Sequence, residues 1–194
     1  MRNKGFIERL CIILGILLLV SSIAIFAWWE WNSRSSQAQA EQYTQALSRL
    51  LPEAQAAFPE PRRDNNMPRL ALGETDFVGI LEMPMHGSSL PICADWGALY
   101  KLPCLFDGSV YDGSIKIGGT SQKGQFDFYR NISVGDSVFF TDMEGRRYSF
   151  TVADLRYEKH ADQEALGRRD ADLTLFIKNI HGFDYVVVFC DVVK

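Results

Sequence analysis

The hydrophobic pattern of this chain changes character twice. Leu10 to Trp29 is a run of 20 residues without a charge. As a helix it would span about 30 Å, the thickness of a bilayer core. It is apolar all round, unlike the one-sided stripe of a surface helix. Arg2, Lys4 and Arg9 precede it, and Trp28, Trp29 and Trp31 stand at its far end. Basic flanks stay cytoplasmic and Trp prefers the interface. Residues 1–31 are therefore expected to be a cytoplasmic tip and single-pass anchor, with the rest of the chain outside the cell. A cleaved signal peptide is the competing reading. It would carry a shorter apolar region followed at once by an A-x-A-like site, whereas the clean match here, Ala38-Gln39-Ala40, lies well past the run.

Residues 32–69 read as a helical stalk and linker. Ser35 to Leu51 is rich in Ala, Gln, Glu and Leu, which favour helix. Pro52 either ends that helix or begins a second, short one ending near Phe58. Pro59, Pro61, Asn65, Asn66 and Pro68 then predict an irregular linker. The expected role is a spacer that lifts a domain off the membrane. A coiled-coil dimer finds no sustained heptad.

From residue 70 the pattern turns to period two and short apolar runs. Phe77–Leu81, Leu90–Cys93, Ser114–Ile117, Ser137–Thr141, Tyr148–Ala153, Leu173–Ile177 and Tyr185–Val193 read as strands. Met143-Glu144-Gly145-Arg146 predicts a hairpin turn between two of them. Helix is expected only at Asp162–Gly167 and as a turn within Gln125–Ile132. Seven or eight short strands over residues 70–194 predict a mainly β domain, and periodicity leaves barrel and sandwich both open.

Charge and composition narrow the function classes. Hydrophobic residues make up 47% of the 194 and charged residues 23%, which suits a packed core and excludes global disorder. The formal net charge is −4, and residues 68–194 hold 13 basic against 18 acidic side chains. That balance gives no basic footprint for nucleic acid. His86, His160 and His181 are scattered, no C-x-x-C occurs, and no metal-ligand spacing or cofactor motif is present. Each histidine reads as a solvated loop residue. Gly118 to Gln125 is Gly-rich but lacks the phosphate-loop pattern. Cys93, Cys104 and Cys190 follow the anchor, an odd number. They read first as small buried hydrophobes, with a Cys104–Cys190 pairing left open.

The strand segments resemble sortases. Asp76 to Pro84 followed by Leu90-Pro91-Ile92 resembles the family's opening strand pair. Ile117-Gly118-Gly119 resembles the strand leading to its catalytic His, and Val134 to Asp142 the next block. Asp172 to Phe176 resembles the strand that delivers its catalytic Cys, and Tyr185 to Val188 the last strand. The five occur in order over about residues 74–193. This resemblance implies a closed eight-stranded β-barrel with few short helices on the surface of a Gram-positive cell. It also implies a cysteine transpeptidase that joins an LPXTG-like sorting signal to an amine, using a thiolate, a His acid–base and an Arg.

All three positions differ. The family His corresponds to Thr120, the Cys to Lys178, and the Arg to Tyr185, or to Asp184 with a slip of one. No catalytic residue is assigned on this basis. The expected activity is that of a catalytically degenerate binding or accessory module in surface-protein or pilus anchoring. Its expected partners are a surface or pilin protein, a sorting-signal peptide or an active sortase, and its ligand groove is expected around Thr120, Ser121, Lys178, Asn179, His181 and Tyr185. An alternative is a divergent active sortase using relocated groups, Cys190, Cys104 or His181. Strand alternation from Tyr185 turns Cys190 away from that groove. A second alternative is an unrelated extracellular structural β-domain.

Overall fold

The computed structural model describes the backbone of residues 4–62, 64–160, 170–182 and 184–193, with side chains from Ile12 onward except at 29, 30, 32 and 33. The chain divides into two compact units, residues 1–35 and 36–194. Helix α1 runs over Lys4–Leu50. In the first unit, the large apolar side chains described between Ile12 and Trp28 are all exposed. Among the described residues, no helix is long and apolar enough to cross a membrane. Leu10, Cys11 and Trp29 of the expected span lie outside the described side chains.

Among the described residues, the second unit holds ten strands. These are β1 (Gln55–Ala57), β2 (Leu70–Leu72), β3 (Thr75–Met83), β4 (Ser88–Cys93), β5 (Cys104–Asp107), β6 (Ile115–Thr120), β7 (Ser137–Asp142), β8 (Arg146–Glu158), β9 (Leu173–Lys178) and β10 (Tyr185–Val192). Eight of them form a ring in the order β8-β10-β9-β6-β5-β4-β3, closed by β7, which pairs with both β3 and β8. Closure removes the unpaired edges an open sheet would expose. The expected eight-stranded barrel is present, and all its strands but β5 coincide with the predicted apolar runs. β1 adds to β8 in parallel and β2 to β3 antiparallel. The barrel interior is filled by alternate side chains, among them Val78, Leu81, Ile115, Ile117, Leu173, Leu175, Val186 and Val188.

The hairpin between β7 and β8 shows why the chain turns where it does. Gly145 sits at φ +78°, a conformation that glycine adopts without steric cost. The buried Asp142 carboxylate accepts hydrogen bonds from the Glu144 and Arg146 amides, each at 2.9 Å, and from the Tyr111 hydroxyl at 3.1 Å. Burial nevertheless raises its pKa above the ordinary value.

Residues 32–69 differ from a plain spacer. From Ser36 the chain belongs to the barrel's compact unit. Ala40, Tyr43, Leu47 and Leu51 follow one another at helical spacing of three and four, and form a single apolar face. That face packs on an outer cluster of Phe77, Ile80, Cys93, Leu102 and Cys104. The Tyr43 and Phe77 rings lie 4.9 Å apart. The short helix expected after Pro52 is instead strand β1, because the Gln55 amide bonds to the Gly145 carbonyl and the segment finds a free stretch of β8. The Pro-rich linker also lies against the barrel. Arg62 stacks 4.1 Å above the Tyr111 ring and pairs with Glu144 at 3.1 Å, and Met67 is buried. The helix expected at Asp162–Gly167 lies outside the described residues. Within Gln125–Ile132 the expected turn is a 3-10 helix at Tyr129–Asn131. Strand β5 and the short β2 have no counterpart among the predicted strands.

Leu47 is fully buried in the outer cluster, whereas Leu50 on the same helix is exposed. Leu47→Ala is expected to destabilise the unit by about 2–5 kcal/mol through lost burial and the cavity left behind. Leu50→Ala should change stability by less than about 0.5 kcal/mol. Urea unfolding followed by circular dichroism measures both; equal effects would refute the docking of α1.

Candidate functional site

Three adjacent strands bring the expected positions together. β6 pairs in parallel with β9, which sets Thr120 beside Lys178, and β9 pairs antiparallel with β10, which sets Lys178 beside Tyr185. Strand alternation then sorts the faces. Leu175, Ile177, Val186, Val188 and Cys190 point into the barrel. Phe176, Val187 and Phe189 form a separate cluster on the opposite face, the face that Thr120, Lys178 and Tyr185 share.

This face has an aromatic wall. Trp96 lies 5.0 Å from Phe106 and 5.7 Å from Phe176, and the Phe106 and Phe176 rings meet edge-on at 5.2 Å. Trp96 and Phe106 remain 38% and 48% exposed, so the wall is open to a ligand. Gly118 is what lets the rings approach the strand. A Cβ there would stand 2.5 Å from Trp96 and 2.6 Å from Phe176. The loop between β4 and β5 holds Trp96 in place. Asp95 caps its 3-10 turn through the Gly97 amide at 2.9 Å. The Leu99 and Tyr100 carbonyls accept hydrogen bonds from Gln125 and Gln122. Trp96, Phe106, Phe176 and Gly118 were not singled out in the sequence as a group. Their signal is an apolar residue on the strand face away from the core, and it becomes readable only once that face is known.

Around Thr120 the polar groups are largely committed to the fold. Its amide donates to Gln125 Oε1 at 2.8 Å. Its hydroxyl is buried and, among the described residues, has no hydrogen-bond partner. Ser121 accepts from the Ile180 amide at 3.0 Å and donates its own amide to the Lys178 carbonyl at 2.9 Å. Asn179 donates to Asp184 at 3.0 Å and accepts from the His181 amide at 3.0 Å. Ser121 and Asn179 therefore organise the turn between β9 and β10. Lys178 and His181 are exposed at its rim, and Tyr185 is half-buried.

The other nucleophile and base candidates lie elsewhere. Cys190 is in the barrel interior with Val186 and Val188. Cys104 begins strand β5, not a loop, and sits in the outer cluster beside Cys93, its register partner. A Cys104–Cys190 pairing therefore does not occur. Cys93, Cys104 and Cys190 are all fully buried. Hydrogen bonding to Cys93 and burial push the Cys104 thiol far up, opposite to what a thiolate nucleophile needs. His86 is not a solvated loop residue. It packs on Phe128 at 5.0 Å and pairs with Asp136 at 2.8 Å, away from Thr120 in the sheet order. His160 is exposed past the end of β8. Among the described residues, no group of three or more His, Cys, Asp or Glu side chains could hold a metal ion. The face is therefore equipped for stacking, for apolar contact and for hydrogen bonds from an ammonium and two hydroxyls.

No family model and no curated protein matches the chain. Solved structures do. Sortase A from Corynebacterium diphtheriae superposes with a TM-score of 0.55 at 17% identity over 84% of each chain. Sortase C1 from Streptococcus agalactiae gives 0.51 at 19% identity, over 60% of this chain and 67% of its own. A Clostridium perfringens Sortase D5 transpeptidase gives 0.51 at 13% identity, over 61% and 79%. The protein is thus a closed β-barrel of sortase-like fold. Fold alone does not carry an activity.

Gly118→Val is expected to force Trp96 and Phe176 off the strand and to destabilise the unit by about 1–3 kcal/mol. The companion change Gly15→Val, where nothing lies within 4 Å of the added atom, should leave the unfolding midpoint unchanged. Thermal unfolding of both variants decides whether the wall rests on Gly118.

Proposed function

We propose that the protein is a membrane-anchored, sortase-fold binding module that holds an extended sorting-signal-like peptide, free or as part of a surface or pilin protein, without cleaving it. The single observation that carries this reading is the side-by-side arrangement of Thr120, Lys178 and Tyr185 on β6, β9 and β10. The resemblance assigns a sortase's His, Cys and Arg to those three positions. A threonine hydroxyl cannot shuttle protons near neutral pH, a lysine supplies no thiol to form the acyl-enzyme thioester, and tyrosine carries no positive charge for an oxyanion. What is left suits binding. The aromatic wall offers stacking area, and the Thr120 hydroxyl, which has no partner among the described residues, offers a hydrogen bond to a peptide carbonyl.

The anchor is part of the same proposal. The uncharged run Leu10–Trp29, with basic residues before it and tryptophans at its end, supports a single pass with the N-terminus inside. The exposure of Ile12, Leu17, Ile23 and Phe26 supports it as well, since apolar side chains exposed in this number need a lipid or protein covering. The divergent-enzyme reading loses support from the burial of Cys104 and Cys190.

The test uses the full chain in detergent micelles, a fluorescent LPXTG-type pentapeptide and triglycine as the amine acceptor. The expected result is saturable binding by fluorescence anisotropy with no cleaved or transferred product by mass spectrometry. Thr120→Val should weaken binding about fivefold, the value of one hydrogen bond, while the melting temperature stays within about 1 °C. Transferred product, abolished by Cys104→Ala or Cys190→Ala, would establish the divergent enzyme. Absence of binding at millimolar peptide would overturn the reading of the groove.

A further inference from the structure

We propose that Cys93 and Cys104 are a redox pair, oxidised to a disulfide that locks the barrel seam between β4 and β5 and pins the loop carrying Trp96. The two residues are Cα partners on adjacent parallel strands, and the Cys104 thiol donates to the Leu102 carbonyl at 3.3 Å within the same segment. Neighbouring strands lie about 4.7–4.9 Å apart, within the Cα spacing that disulfides span. Both side chains sit in the same apolar cluster, under the helix face that carries Ala40 and Leu47.

The seam itself makes the pair consequential. β4 and β5 share a single register position, Cys93 with Cys104, reinforced by the Cys93 amide bonding to the Pro103 carbonyl at 2.9 Å. The ladder from β6 to β9 has six such positions. The ring is therefore joined most weakly where the two thiols meet. The segment between them, residues 94–103, delivers Trp96 to Gly118 and Phe176. A covalent link at its base removes the motion that would draw Trp96 off the wall. Cys190, across the sheet in the barrel interior, has no place in this pair.

Because both thiols are fully buried, oxidation precedes closure of the seam during folding. One thiolate attacks a sulfur of an external disulfide, either a small-molecule disulfide or an exported dithiol oxidase, and expels a thiolate. The second thiol loses its proton and attacks the mixed disulfide, expelling the other half. The external disulfide is thereby reduced to two thiols, and the two cysteines are oxidised by two electrons and joined by one S–S bond. None of this rests on the peptide reading, and its test uses no peptide.

The full chain, unfolded in urea with detergent, is refolded with excess oxidised over reduced glutathione, then alkylated with N-ethylmaleimide under denaturing conditions and weighed. Two protected thiols are expected, with a linked peptide joining Cys93 to Cys104; Cys11 and Cys190 are left for the maleimide or for glutathione. The oxidised chain should melt about 5–10 °C above the reduced one. That difference should persist in Cys190→Ala and vanish in Cys93→Ala. Trypsin should cut after Lys101, inside the closed segment, several-fold more slowly in the oxidised chain. Four accessible thiols, or a link through Cys11 or Cys190, would overturn the pair. Equal trypsin rates would overturn the pinning of the loop. Should Cys93→Ala fail to fold, the thiol count on the unaltered chain still decides.

Discussion

The parallel ladder between β6 and β9 is the constraint from which the rest of this structure follows. Its six paired positions run from Ile115 opposite Leu173 to Thr120 opposite Lys178. A shift of one residue would turn Leu173, Leu175 and Ile177 from the core to the outer face, so register is fixed by the cost of exposing them. The same register forces Gly118 opposite Phe176 and Thr120 opposite Lys178. The site is thus a by-product of core packing. The side chains that line it are those left on the outer face once the inner face has been filled.

Two devices convert that sheet into a stable closed unit. β7 bridges β3 and β8 and leaves the ring without an open edge. The second half of α1 then covers the outer cluster of Phe77, Ile80, Cys93 and Cys104. A closed barrel of this size has an inside core, and the helix supplies a second one outside. The weakest joint, between β4 and β5, lies beneath this helix, and it is also where the chain loops out to carry Trp96 to the site. Stability and the shape of the groove are therefore coupled through one seam.

The chemistry of the site follows from what the strands present. A transpeptidase needs a thiolate, and thiolates form where water or positive charge stabilises them. Here Cys93, Cys104 and Cys190 are all buried in apolar surroundings. A hydroxyl, an ammonium and a phenol occupy the outward positions at the strand ends. Such a set offers stacking area and hydrogen bonds, and Thr120, Lys178 and Tyr185 include no thiol, imidazole or guanidinium.

Much of the barrel was readable from the chain alone, because period-two alternation is a local signal. Each run such as Leu173–Ile177 or Tyr185–Val193 carries its own inside and outside, and the Gly145 turn is written in neighbouring residues. The inward side of Cys190 followed from counting along β10. The uncharged run at Leu10–Trp29 is equally local. Four features were decided only in three dimensions. The face of Ala40, Tyr43, Leu47 and Leu51 reads alone as a spacer helix, since nothing nearby in sequence shows the cluster that covers it. β1 forms from a segment with no strand pattern because β8 leaves three positions to pair. The neighbour of Cys104 is Cys93, a consequence of a parallel contact between strands separated by a loop. The aromatic wall joins residues from β5, β6, β9 and a 3-10 turn. Local pattern tells which way a side chain points within its strand; which strands become neighbours is set by closure of the ring, and that is a property of the whole chain.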